Sequence, residues 1–144
     1  IVFGDIYLQA HKDWVDRVCN ECGLVSILPL WGRDTRHVVE SFIEAGFISV
    51  VVSANANLLG EEWLGRTIDR DFIAELEKLA PERQIDVCGE GGEFHTLVVD
   101  GPLFHRRMEL TFGNGVQRNG YWLLDIQRCR LRSKLAERSE RAYG

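Results

Sequence analysis

No stretch of this sequence approaches the roughly 20 consecutive apolar residues that span a bilayer. No basic segment followed by an apolar one opens the chain in the manner of an export signal. The chain starts at Ile1 rather than Met, inside what reads as a strand, and this points to a piece of a longer polypeptide. A cationic surplus is also lacking: 17 Lys and Arg stand against 22 Asp and Glu, a formal net charge of −5. That balance argues against generic nucleic-acid binding, which depends on Lys and Arg neutralising phosphates. Cysteines are few, namely Cys19, Cys22, Cys88 and Cys129. Without an export signal they read as reduced cytosolic thiols, not as a disulfide framework. Cys19 and Cys22 form a CxxC pair, but no second Cys or His pair stands at a matching spacing for zinc. Three apart on a helix, they share a face and read as small core residues, and no metal ligand set is assigned. No internal repeat, low-complexity segment or GxxxxGK[ST] phosphate loop is present.

What is present is the composition of an ordinary globular protein, 45% hydrophobic and 27% charged. The 144 residues suffice for one domain, or for part of one with a small second lobe. Residues 1–8 are apolar and β-favouring, interrupted by Gly4 and Asp5. Ala10, Trp14, Val15, Val18, Cys19 and Cys22 then recur at helical spacing, with Gly23 as the stop. A second apolar run covers 25–31, and Asp34 or Thr35 caps a helix facing inward through Val38, Val39, Phe42 and Ile43 before Gly46 closes it. The third run, 47–53, is continuously apolar and reads as a strand covered on both faces. This β-α-β-α-β order predicts a parallel sheet with right-handed crossovers. A loop-rich stretch follows, then a helix over 71–79 ended by Pro81. Strands are expected at 94–99, 107–112 and 121–130, with a reverse turn at Gly113, Asn114 and Gly115. At the end, Arg128, Arg130, Arg132, Lys134, Arg138 and Arg141 face only Glu137 and Glu140, a pattern of solvated charge.

The segment richest in chemistry is CGEGGEFHT, residues 88–96. Gly89, Gly91 and Gly92 let the backbone approach a ligand closely. Glu90 and Glu93 sit in the loop, and His95 and Thr96 lie on the strand leaving it. An acidic glycine loop suits a cation, such as magnesium, ammonium or a substrate amine, and repels bare phosphate. It does not fit GxGxxG, because Phe94 holds the third glycine position. Glu93 and His95 would share a strand face and cooperate in proton transfer; the plainer alternative is a tight turn with solvated glutamates. PLWGR, 29–33, ends the second run, where ligands gather in open parallel sheets. There Trp31 can stack on a base and Arg33 can meet a phosphate. Asp5 holds the matching place after the first run, for a ribose hydroxyl, a metal or a helix cap. LGRTID, 64–69, carries Arg66 and Asp69 into a helix and reads mainly as its cap. DGPLF, 100–104, reads as a turn with an apolar plug, and Trp122 as core or interface.

FGDI (3–6), PLWGR, EAGF (44–47), LGR, CGEGGEFHT and VVDGPLF (98–104) together resemble the diphthine–ammonia ligase family. The resemblance runs from Phe3 to about Phe104, and the GEGGE-H-T element with the trailing DGPLF is its specific part. It implies an α/β fold: the C-terminal part of a Rossmann-like adenine nucleotide alpha hydrolase parallel sheet (1–57), then a small α+β substrate-binding lobe (58–132) and a charged tail (133–144). It also implies PP-loop ATP pyrophosphatase chemistry in the cytoplasm, with ATP and Mg2+ as cofactors. A carboxylate is adenylated, pyrophosphate leaves, and ammonia displaces AMP to give an amide. The carboxylate partner would be elongation factor two or a small carboxylate, with self-association through an exposed sheet edge. In that scheme Glu90, Glu93, His95 and Thr96 are catalytic. Gly89, Gly91, Gly92 and Arg66 bind substrate, and Asp5, Trp31 and Arg33 border the nucleotide. The family's SGGxDS pyrophosphate loop is absent from this chain, so the chain alone is expected not to hydrolyse ATP. Two other functions remain open: a PP-loop-related hydrolase or ligase acting on a small metabolite or RNA, and a non-catalytic binding module.

Overall fold

Local signals set the helix ends. The computed structural model describes residues 1–134, and α1 covers Gln9–Glu21. Beyond it Gly23 takes φ +66°, while Leu24 N–H donates to Cys19 O at 2.8 Å and Gly23 N–H to Asn20 O at 3.1 Å. These are the paired bonds of a left-handed helix ending, which glycine adopts without a Cβ clash. Helix α2, Thr35–Glu44, starts at Asp34, whose carboxylate accepts from His37 N–H at 2.8 Å. Helix α3, Arg70–Arg83, starts at Asp69, which accepts from Phe72 N–H at 2.7 Å. Each cap satisfies a donor that the helix itself cannot. Pro81, expected to end α3, lies inside it, and the helix closes at Gln84 with φ 52°. This near the end, proline removes one N–H bond and leaves little helix to kink.

The sheet is four-stranded and ordered β2-β1-β4-β3, from β1 Ile48–Asn55, β2 Phe94–Asp100, β3 Arg106–Arg118 and β4 Tyr121–Ser133. The mixed α/β class is as expected, but every pairing in this sheet is antiparallel, which corrects the parallel sheet read from the sequence. The first two apolar runs meet in parallel at a single bridge, Val2 to Ile27. The third became β1, an inner strand between β2 and β4. Its continuous hydrophobicity reports that inner position: Ser49, Val51 and Ser53 are buried and Val50 and Val52 half-buried. Burial on both sides does not encode strand direction. The sheet thus joins strands from both sides of residue 57. Positions 135–144 of the expected tail lie outside the described residues.

The core lies between α2, α3 and the sheet: Val39, Val51, Ala54, Leu59, Trp63, Phe72, Ile73, Leu76 and Phe94 pack in one cluster. Phe72 meets Trp63 and Phe94 edge-on at 5.2 and 5.4 Å, a favourable ring geometry. Cys19 is buried, but Cys22 is exposed and is therefore not the core residue expected of it. It is the C-cap of α1, where the chain leaves the buried face.

Strands β3 and β4 form a long arm. Its turn is Asn119-Gly120, at φ 51° and 82°, between paired Arg118 and Tyr121. A two-residue loop with both φ positive matches the twist of a hairpin. The turn expected at residues 113–115 is instead an irregularity inside β3. There Gly115 N–H donates to Glu61 Oε1 at 2.7 Å, and a Cβ would lie 2.8 Å from Leu64 Cδ1. The glycine serves close approach rather than chain reversal. β4 pairs with β1 only from Ser53 to Asn55. Farther along β1, residues 65–68 take that edge, through Val51 N–H to Arg66 O at 2.9 Å and Ile68 N–H to Ser49 O at 3.0 Å. The expected plug at DGPLF is not one, because Leu103 is 83% exposed.

Candidate active site

The 88–93 loop is a pair of turns closed by Gly89 N–H to Asp86 O and Gly92 N–H to Gly89 O, both 3.0 Å. Gly89 has φ +72° and a Cβ there would sit 2.9 Å from Phe94 O, so no other residue fits without a shift. Gly92 has φ +84°, and its carbonyl accepts from Tyr121 Oη at 3.4 Å. A Cβ at Gly91 would meet Glu93 Oε1 at 2.9 Å. The glycines thus let the loop fold back on its own glutamate.

The two glutamates point into different places. Glu90 Oε1 accepts from Ile6 N–H at 2.8 Å, which ties the loop to the N-terminal segment. Glu90 and Thr96 line a cavity of about 250 Å³ whose other walls include Val38, Phe42, Ile68 and Phe94. Glu93 is 5% exposed. Its Oε1 accepts from Asp86 N–H at 2.9 Å, and with Asp86 and Tyr7 it lines a second, more open cavity of about 580 Å³. His95 is exposed, with its ring 6.4 Å from that of Tyr121. The structure therefore does not bring Glu93 and His95 together; strand alternation alone would have put them on one face. A register shift between β1 and β2 falls at this point, between Val51 and Ser53.

The remaining expected site residues are dispersed. Arg66 pairs with Glu75 at 2.6 Å and lies over the rings of Trp63 and Phe72 at 4.5 and 5.5 Å. Those contacts account for it without a ligand. Asp5 Oδ1 is 3.1 Å from His11 Nδ1, and Trp31 is half-buried with Lys12 Nζ 5.8 Å from its ring. Arg33 is exposed. Gly32 N–H donates to Ile6 O at 2.7 Å, which brings the PLWGR segment beside the same residue whose N–H Glu90 holds.

Sequence reasoning missed Asp86 and Tyr7. The Tyr7 hydroxyl is held well above its usual pKa, first by partial burial, then by the adjacent Asp86 carboxylate and the charges of Glu93 and Glu90. Cys88 donates Sγ–H to Thr35 O at 2.9 Å, and burial, helped by Asp86, pushes its thiol up to about 12. It is thus no ready thiolate nucleophile. Asp86 sits seven residues before Glu93 on a separate turn, and no spacing rule announces such a pair. Among the described residues no three His, Cys, Asp or Glu side chains converge to hold a metal ion. Nor does the chain contain a phosphate loop for ATP. No helix among those residues is long and apolar enough to cross a membrane.

Comparison with known proteins places this arrangement. The chain is 33% identical over 108 residues to the diphthine–ammonia ligase of Schizosaccharomyces pombe, covering 75% of this chain and 18% of that protein. It is 30% identical over 111 residues to that of Homo sapiens, covering 75% and 40%. To the Saccharomyces cerevisiae protein of the same name it is 32% identical over 123 residues, covering 74% and 18%. The chain therefore spans between 18% and 40% of the length of these relatives. The family model for the diphthamide synthase C-terminal domain matches residues 34–134. That span takes in α2, α3, the whole sheet and the glycine loop, and the chain belongs to the diphthamide synthase C-terminal domain family.

Proposed function

We propose that this chain supplies the acceptor side of an ATP-dependent amide-forming ligase that joins ammonia to the carboxylate of diphthine on a protein substrate. The observation that carries the reading is the family match over residues 34–134, which encloses the 88–93 loop and its two differently directed glutamates. Glu90 and Thr96, polar groups in the lining of a mostly apolar cavity, receive the acceptor side chain. Glu93 serves the second cavity, and exposed His95 meets substrate from solvent. Gly89, Gly91 and Gly92 keep the backbone low enough for that approach. Asp5, Trp31 and Arg33 border the nucleotide side, and Arg66 packs over Trp63 and Phe72 of the core. ATP and Mg2+ belong to the activation half of the reaction, in the cytoplasm, and no step through them is assigned to these residues.

The test is AMP and pyrophosphate release by the intact protein, given ATP, ammonium and a diphthine-bearing elongation factor. Glu90→Gln is expected to lower amide formation at least about tenfold, the effect of losing one charge-assisted contact, with the thermal midpoint little changed. Release of AMP without amide under every condition would point to a related hydrolase or a ligase of another substrate. No AMP at all would favour the binding-module alternative.

A further inference from the structure

Three of the segments that stand out in the sequence meet at one buried residue, Ile6. Its N–H donates to Glu90 Oε1 at 2.8 Å, across a sequence separation of 84. Its carbonyl accepts from Gly32 N–H at 2.7 Å. FGDI, PLWGR and the glycine loop are thus joined through the backbone of a single residue. A second tie runs close by, from Cys88 Sγ–H to Thr35 O at 2.9 Å, so the loop is fastened to the stretch around residues 29–35 twice. The first two apolar runs lie parallel at the Val2–Ile27 bridge, and Ile6 and Gly32 stand farther along them, toward their carboxyl ends. Ligands gather at that end of parallel strands. A buried backbone N–H without an acceptor is costly, so Glu90 cannot leave Ile6 without penalty.

The two bonds of Ile6 lead to different places. Glu90 and Ile6 line the 250 Å³ cavity assigned to the acceptor. Gly32 is not part of that lining and stands between Trp31 and Arg33, on the side assigned to the nucleotide. A shift of Glu90 displaces the Ile6 N–H, and a shift of Gly32 displaces the Ile6 carbonyl. Close packing around a buried residue keeps the two from moving independently. We propose that Ile6 is a positioning residue that couples the two sides: Glu90, besides meeting the acceptor, holds residues 29–33 in place through it. A ligand that orders one side then favours binding at the other, and by linkage the effect is mutual. The inference rests on the ligase reading for the identity of the two ligands, but not for the bonds that join their sites.

The test reads each side through a residue of the other. ATP affinity of the intact protein is measured by calorimetry in the absence of acceptor. Glu90→Ala removes the oxygen that holds Ile6 N–H and should weaken ATP binding at least about fivefold. Glu90→Gln keeps a side-chain carbonyl for that N–H and should leave ATP affinity unchanged even as amide formation falls. In the other direction, Gly32→Ala strains the backbone without filling space, since φ is +71° and a Cβ there would meet nothing within 4 Å. It should raise KM for the acceptor at least about fivefold. Hydrogen exchange reads the junction itself: the Ile6 and Gly32 amides should exchange faster in Glu90→Ala but not in Glu90→Gln. Unchanged ATP affinity in Glu90→Ala, or equal losses in Glu90→Ala and Glu90→Gln, overturns the coupling. Where Glu90→Ala does not fold, Gly32→Ala decides through the acceptor KM. If the wild type binds no ATP, the nucleotide side of the ligase reading falls and exchange decides: faster exchange at Gly32 in Glu90→Ala alone keeps the junction, and unchanged exchange removes it. Coupled ATP binding without amide formation keeps the junction and removes the ligase reading.

Discussion

The glycine loop and the β3–β4 arm are both acid–base structures hung from one sheet, yet they are built in opposite ways. The loop buries its charge: Glu93 is 5% exposed, its bonds go to the backbone, and one oxygen of each of Asp86 and Glu93 has no partner. The arm displays its charge: Arg128, Arg130 and Arg132 are exposed, and Glu109 sits between Arg107 and Arg132 at 3.2 and 3.1 Å. Exposed ion pairs contribute little because water and salt screen them. Buried acceptors without donors are costly and persist only where something else holds or uses them. The comparison teaches where to look for chemistry. The fewer and more buried charges single out the loop proposed here as the site, and the more numerous exposed ones mark a solvated surface.

The largest expected effect lies in what holds the loop in place. Phe94 leads from the loop into β2 and packs edge-on against Phe72, which is fully buried. Phe72→Ala should destabilise the protein by about 3–5 kcal/mol, whereas Leu131→Ala in the arm, at a residue 60% exposed, should stay within about 0.5 kcal/mol. Urea denaturation reads both, and comparable losses would erase the distinction between core-borne loop and solvated arm. A middle effect belongs to the arm's anchor. Gly65 has φ +73°, and a Cβ there would lie 2.8 Å from Phe112 Cζ. Gly65→Ala should therefore cost about 1–3 kcal/mol through backbone strain and displacement of the ring. A neutral result would mean that the arm is not seated on the 65–68 segment. Smaller still is the cap of α3: Asp69→Ala should cost about 1 kcal/mol, the usual loss at such a position.

The helices were legible because their signals are local. Asp34, Asp69, Gly23 and Gly46 each act within one turn of their own position, and the structure uses all four. The sheet was not, because strand direction and partners are long-range choices. The apolar run that became β1 has the same composition in a parallel or an antiparallel setting. The hairpin turn was misplaced for a related reason. Asn114-Gly115 and Asn119-Gly120 are the same dipeptide, and the first lies in β3 where Gly115 closely approaches Glu61 and Leu64. The glycine loop stood out by composition, but its division into a Glu90 side and a Glu93 side depends on Ile6 and Asp86, which are 84 and 7 residues away. No periodicity reports such pairs.

The finest distinction between the two regions is electrostatic. At the end of β2, burial pushes the Asp100 carboxyl up, but the bonds from Lys134 Nζ at 2.7 Å and Gly101 N–H at 2.7 Å outweigh it and hold the group below its ordinary value. On the arm, Arg132 and then Arg107 hold Glu109 low in the same direction. A carboxyl lowered in the folded state contributes stability above its unfolded pKa, near 3.9 for Asp, and that contribution is lost as pH falls through the folded value. Asp100→Asn should therefore flatten the acid limb of a stability-versus-pH curve below about pH 4 and remove about 0.5–1 kcal/mol at neutral pH after solvent screening. Glu109→Gln should flatten the same limb less. Its contribution should disappear in about 1 M salt, where the Debye length shrinks to about 3 Å, while that of Asp100, 14% exposed, persists. If salt removes both equally, Lys134 and Asp100 are no better shielded than the arm, and the electrostatic contrast between the two ends of the sheet is lost.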